Sequence, residues 1–181
     1  MARGGGGLKP GHVVLIGLPG AGKSTAGRSA AAQLGVAFVD LDDRIAFEAG
    51  KTVPEILAEL GEGAFRSLER DLMSNALAEP PQVIASGGGW AAQPGNLEAV
   101  KGRGIVIYLE ATAEAAAKRV GDAADRPILQ GGGSVLERVR ELLGRREKYY
   151  RRAGHTIKTD GMTDTQVGSM IAALARKHGG L

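Results

Sequence analysis

The stretch His12-Val13-Val14-Leu15-Ile16-Gly17-Leu18-Pro19-Gly20-Ala21-Gly22-Lys23-Ser24-Thr25 decides the reading of this chain. Its first five residues form an apolar run that reads as a buried parallel strand. The next nine fit the pattern glycine, four residues, glycine, lysine, serine or threonine. Ser24 to Leu34 then reads as a helix, so the pattern stands in the strand, loop, helix context that gives it meaning. Glycines let backbone N–H groups wrap a phosphate chain with no Cβ in the way. The helix that follows presents its positive end to the same phosphates. Lys23 is placed to bridge the β- and γ-phosphates, and the Ser24 hydroxyl to ligate Mg²⁺. The stretch predicts a nucleoside triphosphate site.

Working outward, four more short apolar runs read as strands: Val36 to Val39, Val83 to Ala85, Ile105 to Leu109 and, more weakly, His155 to Lys158. Helical stretches separate them. The alternation predicts an α/β fold: a five-stranded parallel sheet flanked by helices on both faces, with ligands beyond the carboxyl ends of the strands. At 181 residues a single domain, 1–181, is expected. Residues 1–11, rich in glycine and without the apolar core of a signal peptide, read as a flexible tail. Residues 43–80 read as an insertion of two or three helices, broken near Gly50 and Gly61. Residues 121–133 hold Asp122, Asp125, Arg126, Pro127 and three consecutive glycines with little apolar content, which reads as a lid. Thr163 to Lys177 reads as a last helix, with Val167, Ile171 and Leu174 along its buried face.

Composition narrows the classes. The chain has no cysteine, which excludes a disulfide framework and a cysteine metal site. The net charge of +3 is mild and suits small anionic ligands. The doublets Arg145-Arg146 and Arg151-Arg152 fit a solvated helix side better than a nucleic-acid face, since no aromatic platform is interleaved with them. No apolar stretch approaches membrane-spanning length. A cytoplasmic protein with small-molecule substrates, no nucleic acid and no membrane is expected, and a monomer.

Three further segments follow strand ends. In Asp40-Leu41-Asp42-Asp43, an extended backbone would point Asp40 and Asp42 the same way, one toward a metal and one toward a substrate hydroxyl. Asp43 fits a cap on the next helix, and capping and turn chemistry would account for all three equally well. Arg66, in Glu62-Gly63-Ala64-Phe65-Arg66-Ser67-Leu68-Glu69-Arg70, would by default pair with Glu62 on a solvated helix. Ser86-Gly87-Gly88-Gly89-Trp90 leaves room for a ligand against the backbone. Trp90 fits core cover better than a cleft wall.

Taken in order, these elements resemble the shikimate kinases, within the nucleoside-monophosphate-kinase-like group of phosphate-loop enzymes. The resemblance runs from about Val13 to Leu174. It rests on the phosphate loop, Asp40-Leu41-Asp42, Phe65-Arg66 followed by Glu69, Gly87-Gly88-Gly89, Arg126-Pro127 and Arg146. It implies ATP-dependent phosphorylation of the 3-hydroxyl of shikimate with Mg²⁺. It implies that Gly20, Ala21, Gly22, Lys23, Ser24 and Thr25 hold the ATP phosphates, and that Ser24 and Asp40 associate with the metal. Asp42 would bind the hydroxyl that is phosphorylated, and Arg66, Arg146 and the Gly88 backbone would bind the rest of the acceptor. Arg126 would reach the ATP phosphates from the lid. Arg119 would lie against adenine, with the loop from Asp160 to Asp164 on its other side. Lys23, Asp42 and Arg126 would carry the chemistry. The chain departs from the family pattern at Leu57, where many members have phenylalanine, and at Trp90, where a smaller residue is more usual. A related sugar-acid kinase acting on gluconate, or a ligand-sensing domain of the same fold, are the alternatives. The arginine pair and the intact charged set argue against both.

Overall fold

β1 (His12–Ile16) is buried along its whole length because it runs through the middle of a sheet. In the computed structural model, which describes residues 11–120, 132–179 and 181, five strands form one parallel sheet. They are β1, β2 (Ala37–Asp40), β3 (Gln82–Ala85), β4 (Gly104–Glu110) and β5 (His155–Lys158), in the order β2-β3-β1-β4-β5. Leu15 is in register with Ala85 on one side and Ile107 on the other. Val13, Val14 and Leu15 are fully buried, and cutting such a side chain back to alanine costs about 2–5 kcal/mol.

The chain leaves β1 toward β3 and β2, then returns from β3 to β4 on the opposite side. The crevice beyond the carboxyl ends of β1 and β3 is therefore the topological switch point, where an open α/β sheet binds ligands. The phosphate loop follows β1 there and the triple glycine follows β3.

The helices are α1 (Lys23–Leu34), α2 (Leu41–Ala49), α3 (Val53–Ala76), α4 (Asn96–Ala99), α5 (Ala113–Val120), α6 (Val135–Tyr150) and α7 (Asp164–Leu174). Trp90–Ala92 forms a 3₁₀ turn, and Ala175–Gly179 a π turn that continues α7. α1 and α7 pack together, as do α2 with α3 and α5 with α6. Three helices start with reciprocal capping boxes: Thr52 with Glu55, Ser134 with Glu137, and Thr163 with Gln166. The insertion breaks where expected, at Gly50 and at Gly61, whose φ of 79° and ψ of 169° interrupt α3. Among the described residues no helix is long and apolar enough to cross a membrane.

Several boundaries differ from the sequence reading. Val36 does not begin β2, because its N–H bonds back to Ala31 O and closes the end of α1. α2 begins at Leu41, so the backbone is not extended through Asp42 and the period-two argument for Asp40 and Asp42 fails. The cap of α2 is Asp40, not Asp43: the Asp42 N–H donates to Asp40 Oδ1 at 3.1 Å. Asp43 lies in the first turn and pairs with Arg28 at 3.3 Å. α7 ends at Leu174, and the segment from Ala175 takes the wider π turn. The tail expected at 1–11 lies outside the described residues except for Gly11, as does the lid expected at 121–133 except for Gly132 and Gly133.

Candidate active site

The phosphate loop turns on Gly20 and Gly22, whose φ values of 81° and 87° fall in the left-handed region. The helix it feeds, α1, starts at Lys23. The Lys23 side chain folds back over the loop, its Nζ donating to Gly17 O and Leu18 O at 2.9 Å each. The lysine is 8 % exposed, so its ammonium charge is concentrated at the mouth of the loop rather than spread into solvent. A cavity of about 510 Å³ opens here, lined among others by Gly22, Lys23, Ser24, Asp40, Asp42 and Gly88. That volume lies within the range of small-molecule sites, about 300–1,000 Å³.

The acidic edge of the cavity comes from the end of β2. Ser24 donates its hydroxyl proton to Asp40 Oδ2. A hydroxyl and a carboxylate oxygen thus stand side by side, the hard oxygen donors that suit Mg²⁺, which takes one or two protein ligands and completes its shell with phosphate oxygens and water. The donor set fits that ion. Asp43, close by, has its carboxyl raised by partial burial and by the neighbouring Asp40 charge, against the pull of Arg28.

Beyond Asp42 the side chains of Glu69, Arg66 and Arg146 gather over the loop after β3. The floor beneath them is Gly87-Gly88-Gly89, and each glycine meets a different functional group. A methyl group at Gly87 would lie 2.3 Å from Glu69 Oε1 and 3.0 Å from Asp42 Oδ1. One at Gly88 would lie 2.9 Å from Pro19 Cδ of the phosphate loop and 3.4 Å from Arg146 Nη1. One at Gly89 would lie 2.5 Å from Arg66 Nη2. The triple glycine is therefore a contact surface, and the close approaches leave no space for side chains. Three buried polar atoms around it have no hydrogen-bond partner among the described residues: Arg66 Nε, Arg146 Nη1 and Glu69 Oε1. Buried donors left open cost about 1–3 kcal/mol each unless a ligand meets them. Two guanidinium groups with spare N–H groups match a carboxylate.

Glu69 is the residue that the sequence reading left without a role. It is 1 % exposed and forms a 2.5 Å ion pair with Arg66. Arg66 also meets Glu62 at 3.1 Å, the pairing expected of a solvated helix, yet its side chain is only 11 % exposed. Burial raises the Glu69 carboxyl above the usual range and Asp42 adds repulsion, while Arg66 and Arg146 oppose the shift. Burial works against the Arg66 charge, but Glu69 and Glu62 outweigh it, so the guanidinium holds its proton more firmly than usual. An acid three residues after an arginine is an ordinary surface pattern, and only burial distinguishes this pair.

On the other side of the phosphate loop, Arg119 of α5 donates to Gly20 O at 3.4 Å and to Thr159 O at 3.3 Å. Asp160 accepts from the Thr112 N–H at 3.2 Å. Arg119 and Asp164 both line the phosphate-loop cavity, so α5 and the loop after β5 do meet there. Trp90 is 1 % exposed and belongs to the core, as expected. Arg145, Arg151 and Arg152 are exposed and engage Glu141, Glu147 with Glu110, and Glu98 respectively, while Arg146 alone of the two doublets turns toward the pocket. Arg126 lies outside the described residues.

Similarity to known proteins agrees with this geometry. The family model for shikimate kinase matches residues 19–175. The shikimate kinase of Mycobacterium avium is 44 % identical over 147 residues, covering 81 % of this chain and 82 % of the relative. That of Chlorobium chlorochromatii is 38 % identical over 176 residues, covering 93 % and 91 %. A solved structure of shikimate kinase from Acinetobacter baumannii in complex with shikimate superposes with a TM-score of 0.88 at 34 % identity, covering 93 % of this chain and 94 % of that one. With its sheet order, its phosphate loop and its arginine-lined glycine floor already in place, this chain belongs to the shikimate kinase family.

Proposed function

We propose that this chain transfers the γ-phosphoryl group of ATP to the 3-hydroxyl of shikimate, giving shikimate 3-phosphate and ADP on the route to chorismate and the aromatic amino acids. The observation that carries the reading is the juxtaposition at Gly88. A methyl group on this glycine would meet both Pro19 of the phosphate loop and Arg146, so a donor and a carboxylate-bearing acceptor would be held against one backbone segment.

In this reaction a bond forms between the acceptor oxygen and the γ-phosphorus, and the bond from that phosphorus to the β-phosphate bridge breaks. The hydroxyl proton must leave as the new bond forms. Asp42, which shares the approach to Gly87 with Glu69, orients the hydroxyl and accepts its proton. The backbone N–H groups from Gly20 to Thr25 hold the phosphates and Lys23 offsets the charge on the β- and γ-oxygens. Ser24 and Asp40 would hold Mg²⁺, which when bound neutralises phosphate charge and helps align the transferring group. Arg66 and Arg146 grip the acceptor carboxylate, remote from the reacting oxygen, and so fix its orientation. Arg119 and the loop of Asp160 to Asp164 flank the adenine. Arg126 acts on the phosphates, an assignment that rests on the resemblance alone. The protein would act as a monomer in the cytoplasm, where ATP is supplied.

A coupled ADP-release assay with shikimate, with gluconate, or with no acceptor tests the reading, with and without Mg²⁺. Turnover is expected only with ATP, Mg²⁺ and shikimate together. Comparable turnover with gluconate, or none with shikimate, overturns it.

A further inference from the structure

The last residue of α6, Tyr150, is fully buried beneath the glycine floor, yet no step above uses it. Its hydroxyl donates to Gly88 O. Arg146, four residues earlier on the same helix, faces the same glycine, its Nη1 3.4 Å from where a methyl group on Gly88 would lie. The ring stacks on Tyr108 of β4, centroid to centroid at 5.2 Å with planes 30° apart. One hydroxyl on α6 thus holds the loop after β3 beside the Arg146 guanidinium of the same helix. From these contacts we infer that Tyr150 is a positioning residue for the phosphoryl acceptor, its hydroxyl anchoring the Gly88 carbonyl beside the Arg146 guanidinium. The inference rests on the acceptor reading given above.

The physical case has three parts. A phenol hydroxyl is a directional donor, and the Gly88 carbonyl is an acceptor that it meets from below the floor. The peptide unit is planar, so holding the Gly88 carbonyl toward Tyr150 also fixes the Gly89 N–H, which faces the opposite way. Without a Cβ, the three glycines have no side-chain packing to hold this orientation, and an external anchor has to supply it. Burial pushes the Tyr150 hydroxyl up to about 12, with Arg146 and Arg66 opposing, so the phenol keeps its proton and donates throughout the neutral range. The Tyr108 stack clamps the ring and removes the freedom that would let the hydroxyl leave its partner.

Tyr150→Phe tests this, since it keeps the ring, its volume and its stack and removes only the oxygen. The KM for shikimate is expected to rise about five- to thirtyfold, the scale of one lost hydrogen bond with a buried partner left open. The KM for ATP should stay within twofold, and thermal unfolding within a few degrees. Tyr108→Phe removes the other hydroxyl of the same stack and should leave both KM values unchanged. In a double-mutant cycle, Tyr150→Phe should cost much less in an Arg146→Ala background than alone, because the two act through each other. An unchanged shikimate KM, equal changes in both KM values, or additive losses in the cycle would overturn the assignment. Wild-type turnover of shikimate is read in the same assay, so failure of the acceptor reading itself is seen separately.

Discussion

Arg66 and Glu69 form a 2.5 Å ion pair across one turn of α3, with Glu69 only 1 % exposed. On an exposed helix such a pair is worth about 0.2–0.5 kcal/mol. In a buried setting the balance changes, because removing one partner leaves an uncompensated charge at a cost of about 3–5 kcal/mol. Glu69→Ala is therefore expected to lower stability markedly and to raise the shikimate KM, since Arg66 loses the carboxylate that holds its head in place. Denaturant unfolding together with the two KM values checks this. A variant with wild-type stability and wild-type shikimate KM would show that the pair supports neither.

The raised Glu69 carboxyl also sets a pH dependence. A carboxyl raised in the folded state binds more protons there than in the unfolded chain, between the usual carboxylate range and its folded value. Stability contributed by this group therefore falls as pH rises through that window, and is recovered below it. Glu69→Gln does not titrate, so the wild-type protein should lose ground to it as pH rises from the usual carboxylate range toward neutrality. Shikimate binding should move the other way and weaken as Glu69 protonates and releases Arg66. Unfolding free energies and shikimate KM for both proteins across pH 4–8 give the comparison. A stability gap independent of pH would remove Glu69 as the titrating group.

Arg66→Ala and Arg146→Ala should each lower kcat/KM for shikimate by about ten- to a hundredfold, the loss of a charge-assisted hydrogen bond to a carboxylate. The KM for ATP should move much less, because the role proposed for both side chains, beside Gly88 and Gly89, is to hold the acceptor. Initial rates with each substrate varied in turn separate the two. A fall in ATP affinity with shikimate affinity intact would reassign the arginines.

Lys23→Met keeps the length of the side chain and removes the ammonium. Turnover is expected to drop about a hundredfold or more, the scale of lost charge stabilisation at a transferring phosphoryl group. The fold should survive, because the site lies at the open end of the sheet and the buried strand β1 is untouched. Single-turnover rates and a melting curve test the two halves. Retained activity would mean that the loop backbone and metal suffice.

The parts of this molecule that sequence could announce are those with local causes. The apolar runs of β1 and β4, the phosphate loop, and the breaks at Gly50 and Gly61 each follow from composition within a few residues. The cap of α2 did not, because Asp40, Asp42 and Asp43 are chemically alike and only the backbone turn at Leu41 selects Asp40. Val36 reads as a strand residue by type but is taken by the end of α1. Glu69 and Tyr150 were hidden for another reason: their roles depend on partners brought close by the sheet order, with Tyr150 reaching Gly88 from 62 positions away. An arginine such as Arg66 looks the same in sequence whether its helix face is wet or walled by glycines. The family resemblance located it, and the contact with Gly89 supplies the physical reason.

That contact gives the last prediction. Gly89 has φ of −97° and ψ of −7°, which an alanine adopts without strain. The three nearest atoms to a side chain there all belong to Arg66, whose Nη2 and Cζ would lie 2.5 Å and 2.9 Å from the new methyl group. Gly89→Ala should therefore act through Arg66, pushing its head off the floor and raising the shikimate KM by about tenfold or more, as for loss of the arginine itself. The ATP KM should hold, since it is Gly88 that a phosphate-loop residue approaches most closely, whereas the nearest neighbour of Gly89 is Arg66. Gly63→Ala is the matched control on the same helix as Arg66, with nothing within 4 Å of the added carbon. It should leave both KM values alone and add about 0.5–1 kcal/mol of stability by favouring the helix. Combining Gly89→Ala with Arg66→Ala decides the mechanism: with the guanidinium gone, the added methyl group has nothing to displace, and the double variant should be no worse than Arg66→Ala alone. Multiplicative losses in the double variant would place the effect of Gly89 in the backbone of the floor and not in its contact with Arg66.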